Sequence, residues 1–531
     1  MLSIGAAAGG QGEYYLALAR PDYYVAGGEP PGRWLGGAAR ALGLDGRAVG
    51  RGDFLALYAG RSPDGTAGVM NAGSPDRQPG WDLTFSAPTT VSTLWGVADY
   101  GVRCEIEAGH RAAVDAVLAH LEERYAYTRR GKGGLAEEHA EVVAAAFEHG
   151  TSRANDPQLH THLFVLNWAR RADGAVGTLK SDRLYEHKME LGALYRAELA
   201  RQLEARLGLA LVRERTWFEV AGVPVSLTEE FSTRGRQIRE AMAERGVGSA
   251  EAAAAAALDT RPAKDQTPRA ELFPEWQAVA ERHGLTPEAV RGLCGTRPSR
   301  DPEREAAAAV RAAVGRITAQ HSDFTAGERT RRVADEAPGR GLGLAAVREA
   351  AAGHLRDAEI VRLGTWKGRE HYTTREMLAL ERSLLDRVER AKLDTSHRVR
   401  PESVTAAIDR RPTIADEQAL ALAHVTLRPG AVQVVSGLAG TGKTFLLGAA
   451  REVWEADGYR VFGAALAGKA ARGLEEGSGI ASDTLHRRLQ QLESGGWEID
   501  ERVVLVVDEA GMVGTRQMER LFRGFLDRGG K

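Results

Sequence analysis

Three histidines lie close together in the stretch His149-Gly-Thr-Ser-Arg153-Ala-Asn155-Asp156-Pro157-Gln-Leu-His160-Thr-His162-Leu-Phe-Val-Leu-Asn167. The run from His162 to Asn167 has the apolar, β-favouring make-up of a buried strand. Successive strand side chains alternate faces, so His160 and His162 point one way and Thr161 the other. Asn155-Asp156-Pro157 reads as a turn that folds the chain back and brings His149 alongside. Three imidazoles meeting in this way can hold one cation and leave a coordination position open, as a catalytic metal site requires. His-x-His alone also fits a strand with two half-exposed histidines, so the residues that accompany it decide.

Two tyrosine doublets near the N-terminus, Tyr14-Tyr15 and Tyr23-Tyr24, are nine residues apart. A phenolate can attack a phosphodiester and keep the phosphate as a covalent ester, dividing one hard step into two easier ones. The phenol pKa is about 10, so such a tyrosine needs a cation or base beside it, and the histidine cluster could supply the cation. Tyrosine pairs also pack against core edges. Trp81-Asp82-Leu-Thr84-Phe-Ser86-Ala-Pro88 alternates, which places Asp82, Thr84 and Ser86 on one face of a half-buried strand. A carboxylate there can orient a metal-bound imidazole by accepting its second N–H, or take the tyrosine proton. Otherwise it is an exposed strand aspartate.

A second chemistry is written further along. Ala431-Val-Gln-Val-Val-Ser436 reads as a buried strand, followed by Gly437-Leu-Ala-Gly440-Thr441-Gly442-Lys443-Thr444 and a helical stretch. This is Gly-x4-Gly-Lys-Thr in a strand–loop–helix setting, where glycines let backbone N–H groups close around phosphates at a helix N-terminus. Lys443 would reach the β- and γ-phosphates of ATP, and Thr444 would ligate Mg²⁺. Val503-Val-Leu-Val-Val-Asp508-Glu509 is a second buried strand ending in two carboxylates. Asp508 would hold the Mg²⁺ and Glu509 would orient the attacking water.

Several elements must carry these groups. Residues 185–208 predict one amphipathic helix, with Leu191, Leu194, Tyr195, Leu199 and Leu203 on its apolar face, Gly208 as its stop and His187 at the surface. Phe231–Arg245 predicts a helix bearing Arg234, Arg236 and Arg239, either a solvated face or a phosphate track. The Ala-rich Glu251–Leu258 favours a helix, and Arg261-Pro-Ala-Lys264 a basic loop. Gly295-Thr-Arg-Pro-Ser-Arg-Asp-Pro is the clearest linker. Beyond it, 305–400 reads as helical, with a hairpin turning near Lys367-Gly368 and a helix over Met377–Ala391. Such a winged-helix-like module either binds DNA or packs two domains together.

A chain of 531 residues should hold about two to four domains. No stretch reads as a membrane span or signal peptide, and Cys104 and Cys294 support neither a disulfide framework nor a thiolate zinc site, so a reducing cytoplasm is expected. The net charge of −2 does not advertise nucleic-acid binding, which would have to come from local basic patches.

In this order and at these distances, the tyrosine doublets, the Asp82 strand and the histidine segment resemble the MobF family of conjugative relaxases, which are HUH endonucleases, over residues 1–295. The resemblance implies a divalent metal (Mg, Mn or Zn) held by His149, His160 and His162 on a scissile phosphate. It implies Tyr14 as first nucleophile and Tyr23 as second, with Tyr15 and Tyr24 as their neighbours. Asp82 would orient a histidine or activate the tyrosine, and Arg153 would contact phosphate. This chain departs from the family at Thr89-Thr90, where Lys-Ser is common, and at Glu148, where a basic residue often precedes the first histidine. Residues 401–531 resemble RecD-like superfamily 1 helicases through Thr413-Ile-Ala-Asp-Glu-Gln418, Gly468-Lys-Ala-Ala-Arg472 and Thr484-Leu-His486, with Gln418 implied to read adenine.

The expected fold is α/β and multidomain. Residues 1–295 would be an HUH relaxase domain of an antiparallel sheet with flanking helices, 296–400 an accessory module, and 401–531 a RecA-like P-loop lobe. Because the sequence ends soon after Asp508-Glu509, an incomplete helicase, and so a fragment of a longer protein, is expected. The implied partners are single-stranded DNA at a transfer origin, a type IV secretion coupling protein and accessory origin-binding proteins. No membrane insertion is expected, and the implied compartment is the bacterial cytoplasm. The rival readings are an ATP-driven DNA translocase whose N-terminal domain only binds DNA, a metal-stapled adaptor, and a rolling-circle replication initiator.

Overall fold

The alternating stretches around Asp82 and the histidines form the middle of one antiparallel sheet. In chain order its strands are β1 (Leu2–Ala6), β2 (Arg33–Leu35), β3 (Gly80–Ser86), β4 (Tyr127–Arg130), β5 (Ala136–Thr151), β6 (Pro157–Arg171) and β7 (Val176–Gly177). They lie in the order β1-β3-β6-β5-β2, with β4 added to β5 and β7 to β6. The computed structural model describes residues 1–7, 29–131, 134–244, 267, 269–295, 299–438 and 440–531. Tyr14, Tyr15, Tyr23 and Tyr24 lie outside the described residues, as do Glu251–Leu258 and Arg261–Lys264.

Helices pack on both faces of the sheet. These are α1 (Gly37–Ala41), α2 (Arg51–Tyr58), α3 (Thr89–Val97), α4 (Tyr100–Tyr125), α5 (Asp182–Glu186) and α6 (Lys188–Leu207). On one face Leu83, Phe85, Leu163 and Val165 share a core with Val114 and Val117 of α4 and Leu194 and Leu199 of α6. On the other, Val143, Ala145, Phe147, Phe164 and Leu166 pack with Trp34, Phe54 and Leu57. Burial on both faces explains why the strand after His162 reads as an unbroken apolar run.

The helix expected over 185–208 is two helices, broken at His187 (φ −96°, ψ 6°). His187 is half-buried rather than open to solvent. It stacks on Tyr125 with ring centroids 3.7 Å apart and holds Nδ1 3.0 Å from Oε2 of the buried Glu190, which also accepts from the Tyr125 hydroxyl at 2.8 Å. A buried carboxylate has to be satisfied, and that demand overrides the helical pattern. The predicted stop is present: Gly208 caps α6 at φ 64°. The chain continues through a ribbon of β8 (Leu211–Arg213) and β9 (Phe218–Val220), the helix Thr233–Glu244, on which Arg236 is exposed, and α7 (Arg269–Arg282).

The chain divides into two units, Met1–Val314 with Ala326–Leu355, and Gly315–Thr325 with Arg356–Lys531, so 296–400 contributes to both. The second unit contains a small sheet of β10 (Phe324–Thr325), β11 (Ile360–Trp366) and β12 (Arg369–Thr374), ordered β10-β12-β11. The β11–β12 hairpin turns at Lys367 (φ 49°) and Gly368 (φ 76°), as expected, and leads into α8 (Arg375–Ala391), which Thr374 caps by accepting from Met377 N–H. Further on come α9 (Lys443–Ala456) and a parallel sheet of β13 (Arg460–Ala465), β14 (Ala481–Thr484) and β15 (Val503–Val507), ordered β14-β13-β15.

The strand expected at Ala431–Ser436 is absent: these residues are irregular, and Val434 is 79% exposed. The outer edge of β15 is taken instead by Lys531, whose N–H donates to Val503 O (2.9 Å) and whose carbonyl accepts from Leu505 N–H (2.8 Å). The 431–436 segment joins no ladder, whatever its propensity. No helix among the described residues is long and apolar enough to cross a membrane.

The junction between β2 and α1 requires glycine. Gly36 has φ 104°, and a Cβ there would stand 2.3 Å from the Val142 carbonyl oxygen. Gly36→Ala should cost at least about 2 kcal/mol, combining backbone strain with displacement of β5. Urea unfolding followed by tryptophan fluorescence would register this as a lower midpoint.

Candidate functional site

The hairpin register builds the histidine cluster. His149 faces His160 across the β5–β6 ladder, Phe147 faces His162, and on the far side of β6 Thr84 faces His162 and Ser86 faces His160. The 152–156 turn closes with Ser152 N–H donating to Asp156 O (2.9 Å), and Asn155 adopts the left-handed φ of 58° that asparagine tolerates. The three rings stand with centroids 5.1 to 5.3 Å apart, and one nitrogen from each lies within 4.8 Å of the others. Among the described residues this is the one group of three or more histidine, cysteine or acidic side chains able to share an ion.

The donors are set for a cation. Asp82, 8% exposed, places Oδ2 2.8 Å from His162 Nδ1, and the Thr84 hydroxyl donates to Asp82 Oδ1 at 3.2 Å. A carboxylate at Nδ1 keeps the proton there and leaves Nε2 as a lone-pair donor. His160 Nδ1 lies 2.8 Å from Gln158 O, which fixes the same tautomer. The exposed-aspartate reading of Asp82 is thereby excluded, and the chemistry of the donor set fits a divalent metal.

Sequence reasoning missed what lies behind the cluster. Thr161, on the opposite face of β6, holds Oγ1 2.8 Å from His110 Nε2, and His110 Nδ1 lies 2.8 Å from the Tyr195 hydroxyl. His110 is wholly enclosed, and burial, with His160 adding to it, lowers its pKa from 6.5 to about 3, so it stays neutral. Nothing local in the sequence marks these partners as a chain.

A second missed device grips the end of β5. Gly150 N–H, next to His149, donates to Glu29 Oε1 at 2.8 Å, and Glu29 Oε2 is 3.0 Å from Arg269 of α7. Arg269 also bonds Glu107 and lies 4.5 Å over the Trp95 ring, while Trp276 Nε1 donates to Asn155 O at 2.9 Å. Burial pushes the Glu29 carboxyl up, and Arg269 opposes it. Both departures from the family pattern have structural uses. Glu148 accepts from Arg111 at 2.7 and 3.0 Å, and Thr90 accepts from Val220 N–H (2.9 Å) while donating to Glu219 (2.5 Å). Arg153 sits half-buried in the 152–156 turn.

At the glycine-rich loop, Gly440 and Gly442 have φ of 79° and 76°, and α9 starts at Lys443, with Thr444 in its first turn. Lys443 Nζ folds onto the carbonyls of Gly437 and Leu438 (both 2.8 Å), and Thr441 Oγ1 donates to Leu438 O (2.9 Å). Gln418 Nε2 donates to Thr441 O (3.0 Å), and its Oε1 accepts from Ala415 N–H (3.0 Å), so the amide braces the loop. Asp508 and Glu509 follow β15 directly, Glu509 in the left-handed region at φ 51°.

The family model for TrwC relaxase matches residues 8–283, and one for an AAA domain matches 413–531. The chain belongs to the TrwC relaxase family, with a relaxase domain followed by an AAA domain. It is 36% identical over 310 residues to the multifunctional conjugation protein TraI of Escherichia coli, a match covering 56% of this chain and 17% of that protein. It is 48% identical over 149 residues to a probable conjugal transfer protein TraA of Sinorhizobium fredii, covering 28% and 13%. The chain thus spans a small part of these relatives. A metal-bound structure of the relaxase TrwC with oriT DNA is 35% identical, covering 54% of this chain and 99% of that one, with a TM-score of 0.49.

The neutral His110 ties stability to pH. Its folded pKa of about 3 lies below the unfolded 6.5, so this contribution is present above pH 6.5 and is lost as pH falls toward 3. At pH 5 the loss is about 2 kcal/mol. His110→Gln should reduce by about that amount the difference in unfolding free energy between pH 7 and pH 5, measured by urea titration at each pH.

Proposed function

We propose that this chain nicks and rejoins one DNA strand at a plasmid or integrative-element transfer origin through a 5′-phosphotyrosine intermediate. The observation that carries the reading is the convergence of His149, His160 and His162 within 4.8 Å, with Asp82 fixing the proton of His162. A divalent cation held there (Mg, Mn or Zn) would neutralise charge on the scissile phosphate. Tyr14 attacks in line: its Oη–P bond forms, the bond to the 3′ oxygen breaks, and a free 3′-OH leaves. Because the ester conserves the bond energy, the 3′-OH can attack it in return and reseal the strand. Tyr23 serves the second transfer, Tyr15 and Tyr24 are the flanking members of the doublets, and Arg153 contacts phosphate.

The anchoring of the tyrosine stretch supports these roles. Before it, β1 pairs with β3, Gly5 opposite Asp82; after it, Glu29 is held by Gly150 of β5. The described residues on either side of the stretch are therefore bonded to the strands that carry Asp82 and His149. We assign the transesterase to residues 1–295, an accessory module to 296–400 and an ATP-binding lobe to 401–531. In that lobe Gly437, Gly440, Thr441 and Gly442 would wrap the phosphates, and Lys443 and Thr444 would serve phosphate and Mg²⁺. Asp508, Glu509 and Gln418 would complete the site. A secretion coupling protein and origin-binding accessory proteins are the partners this reading calls for, in the bacterial cytoplasm.

The test is a fluorescent single-stranded oligonucleotide from the transfer origin of the encoding element, incubated with and without Mn²⁺ and resolved on a denaturing gel. A protein-linked band that requires metal and disappears in Tyr14→Phe is expected. Binding without any covalent band would replace this reading with a translocase whose N-terminal domain only binds DNA. Asp82→Asn should weaken Mn²⁺ binding about 10- to 100-fold by calorimetry, because the carboxylate that orients His162 is lost.

A further inference from the structure

We propose that the β11–β12 hairpin and one face of α8 form a further binding surface for single-stranded DNA, outside the histidine centre and the nucleotide loop. The proposal rests on the reading of this chain as a protein that acts on single strands.

The hairpin tip presents a largely exposed indole whose ring contact within the hairpin is edge-on with His371, centroids 5.7 Å apart. Trp366 is 62% exposed, and Lys367 Nζ lies 4.4 Å from its ring centroid. The turn is set by the left-handed φ values of Lys367 and Gly368, not by packing of the ring. Trp366 pairs with Arg369, so the two side chains share a face, and the next position on that face is Gly364, where an added Cβ would meet nothing within 4 Å. Of the nearby carboxylates, Glu370 is on the other face and is occupied by Arg362 and the Tyr372 hydroxyl, and Asp323 is occupied by His371. An exposed aromatic beside the Lys367 ammonium, with open space over Gly364, is suited to stacking a splayed base.

The helix that follows divides its charges in the same sense. Arg387 pairs with Asp527, Glu376 with Arg516, and Lys392, just past its end, with Glu389. Arg375, Arg382 and Arg390 instead line a groove of about 490 Å³ in which Asp386 is the one acid, and none of the three forms an ion pair among the described residues. Arg375 and Arg390 donate only to backbone carbonyls, those of Ala358 (2.7 Å) and Asp386 (3.2 Å). At about 1.5 Å of rise per residue the three guanidinium groups are spread along about 22 Å of helix. A row of uncompensated cations with one stacking aromatic fits a single strand, whose bases are free, better than a duplex, whose bases are stacked.

The experiment uses the full chain and a labelled oligothymidylate of about 20 nucleotides, longer than the footprint of one binding module. Fluorescence anisotropy is recorded over a range of salt concentrations. Trp366→Ala should weaken binding about tenfold. Arg382→Glu with Arg390→Glu should weaken it further and reduce the slope of log affinity against log salt by about 1.4, for two phosphates lost. All three positions are exposed, and circular dichroism matching the wild type establishes folding; should Trp366→Ala misfold, the arginine pair carries the test alone. Affinity and salt slope unchanged in the folded variants would overturn the proposal. Competition by polyglutamate as effective as by unlabelled oligothymidylate would also overturn it, assigning the surface to an acidic peptide. Covalent capture of the origin oligonucleotide by the wild type is scored separately. Its failure alongside arginine-dependent binding would sink the relaxase reading and leave this surface standing.

Discussion

The pairing of His149 with His160 is the constraint on which the rest of the first unit depends. Strand side chains alternate with a period of two, so a slip of β5 by one residue would carry His149 to the opposite face and put Glu148 among the imidazoles. The register is held at the turn by the Ser152–Asp156 backbone bond and by Trp276 on the Asn155 carbonyl. It is held along the strands by Phe147 and Phe164, each packed against Phe54 with centroids 6.1 and 5.7 Å away. An irregularity between His149 and Thr151 lets the ladder end without disturbing the histidine pair.

A sheet buried on both faces has to satisfy every polar group it carries, and the site is built from that demand. On the imidazole face, Asp82, Thr84 and the Gln158 carbonyl take the inner ring nitrogens of His162 and His160, so those rings present their remaining nitrogens together. On the other face, Thr161 is satisfied by His110 and His110 by Tyr195, a chain of neutral groups that brings no competing charge beneath the cluster. The carboxylate nearest in sequence, Glu148, is neutralised by Arg111. Positive charge gathered at the histidines would therefore be answered by Asp82.

How much of this was legible depended on the range of the interaction. The histidine face, the Asp82 face, the turn at Asn155 and the hairpin at Lys367-Gly368 follow from local periodicity and turn chemistry, and the sequence shows them directly. The Arg269–Glu29 contact and the His110–Tyr195 contact join residues 240 and 85 positions apart, and no local pattern records such pairs. His187 misled because a helical pattern says nothing of a buried Glu190 that needs donors. Ala431–Ser436 misled for the complementary reason: its propensity is that of a strand, but a strand also needs a partner, and these residues join no ladder.

The grip on the end of β5 carries the last step. Gly150 cannot bear a side chain, since a Cβ would meet the Trp95 ring at 2.3 Å, so its N–H is reached from the side by Glu29. Glu29 is in turn anchored by Arg269, which lies against the same Trp95 ring and bonds Glu107, whose carboxylate also accepts from Trp95 Nε1 at 2.9 Å. One indole thus backs the glycine next to a candidate ligand and shares the arginine that holds the chain leaving the tyrosine stretch. Burying a charged pair is stabilising only when its remaining hydrogen bonds are met, and here Gly150 N–H meets one of them. The cost of desolvating Glu29 and Arg269 is therefore tied to the position of His149: displacing β5 would leave a buried carboxylate short of a donor. The same bond that completes the ion pair fixes the histidine, and for that reason the cluster can hold its spacing before any cation arrives.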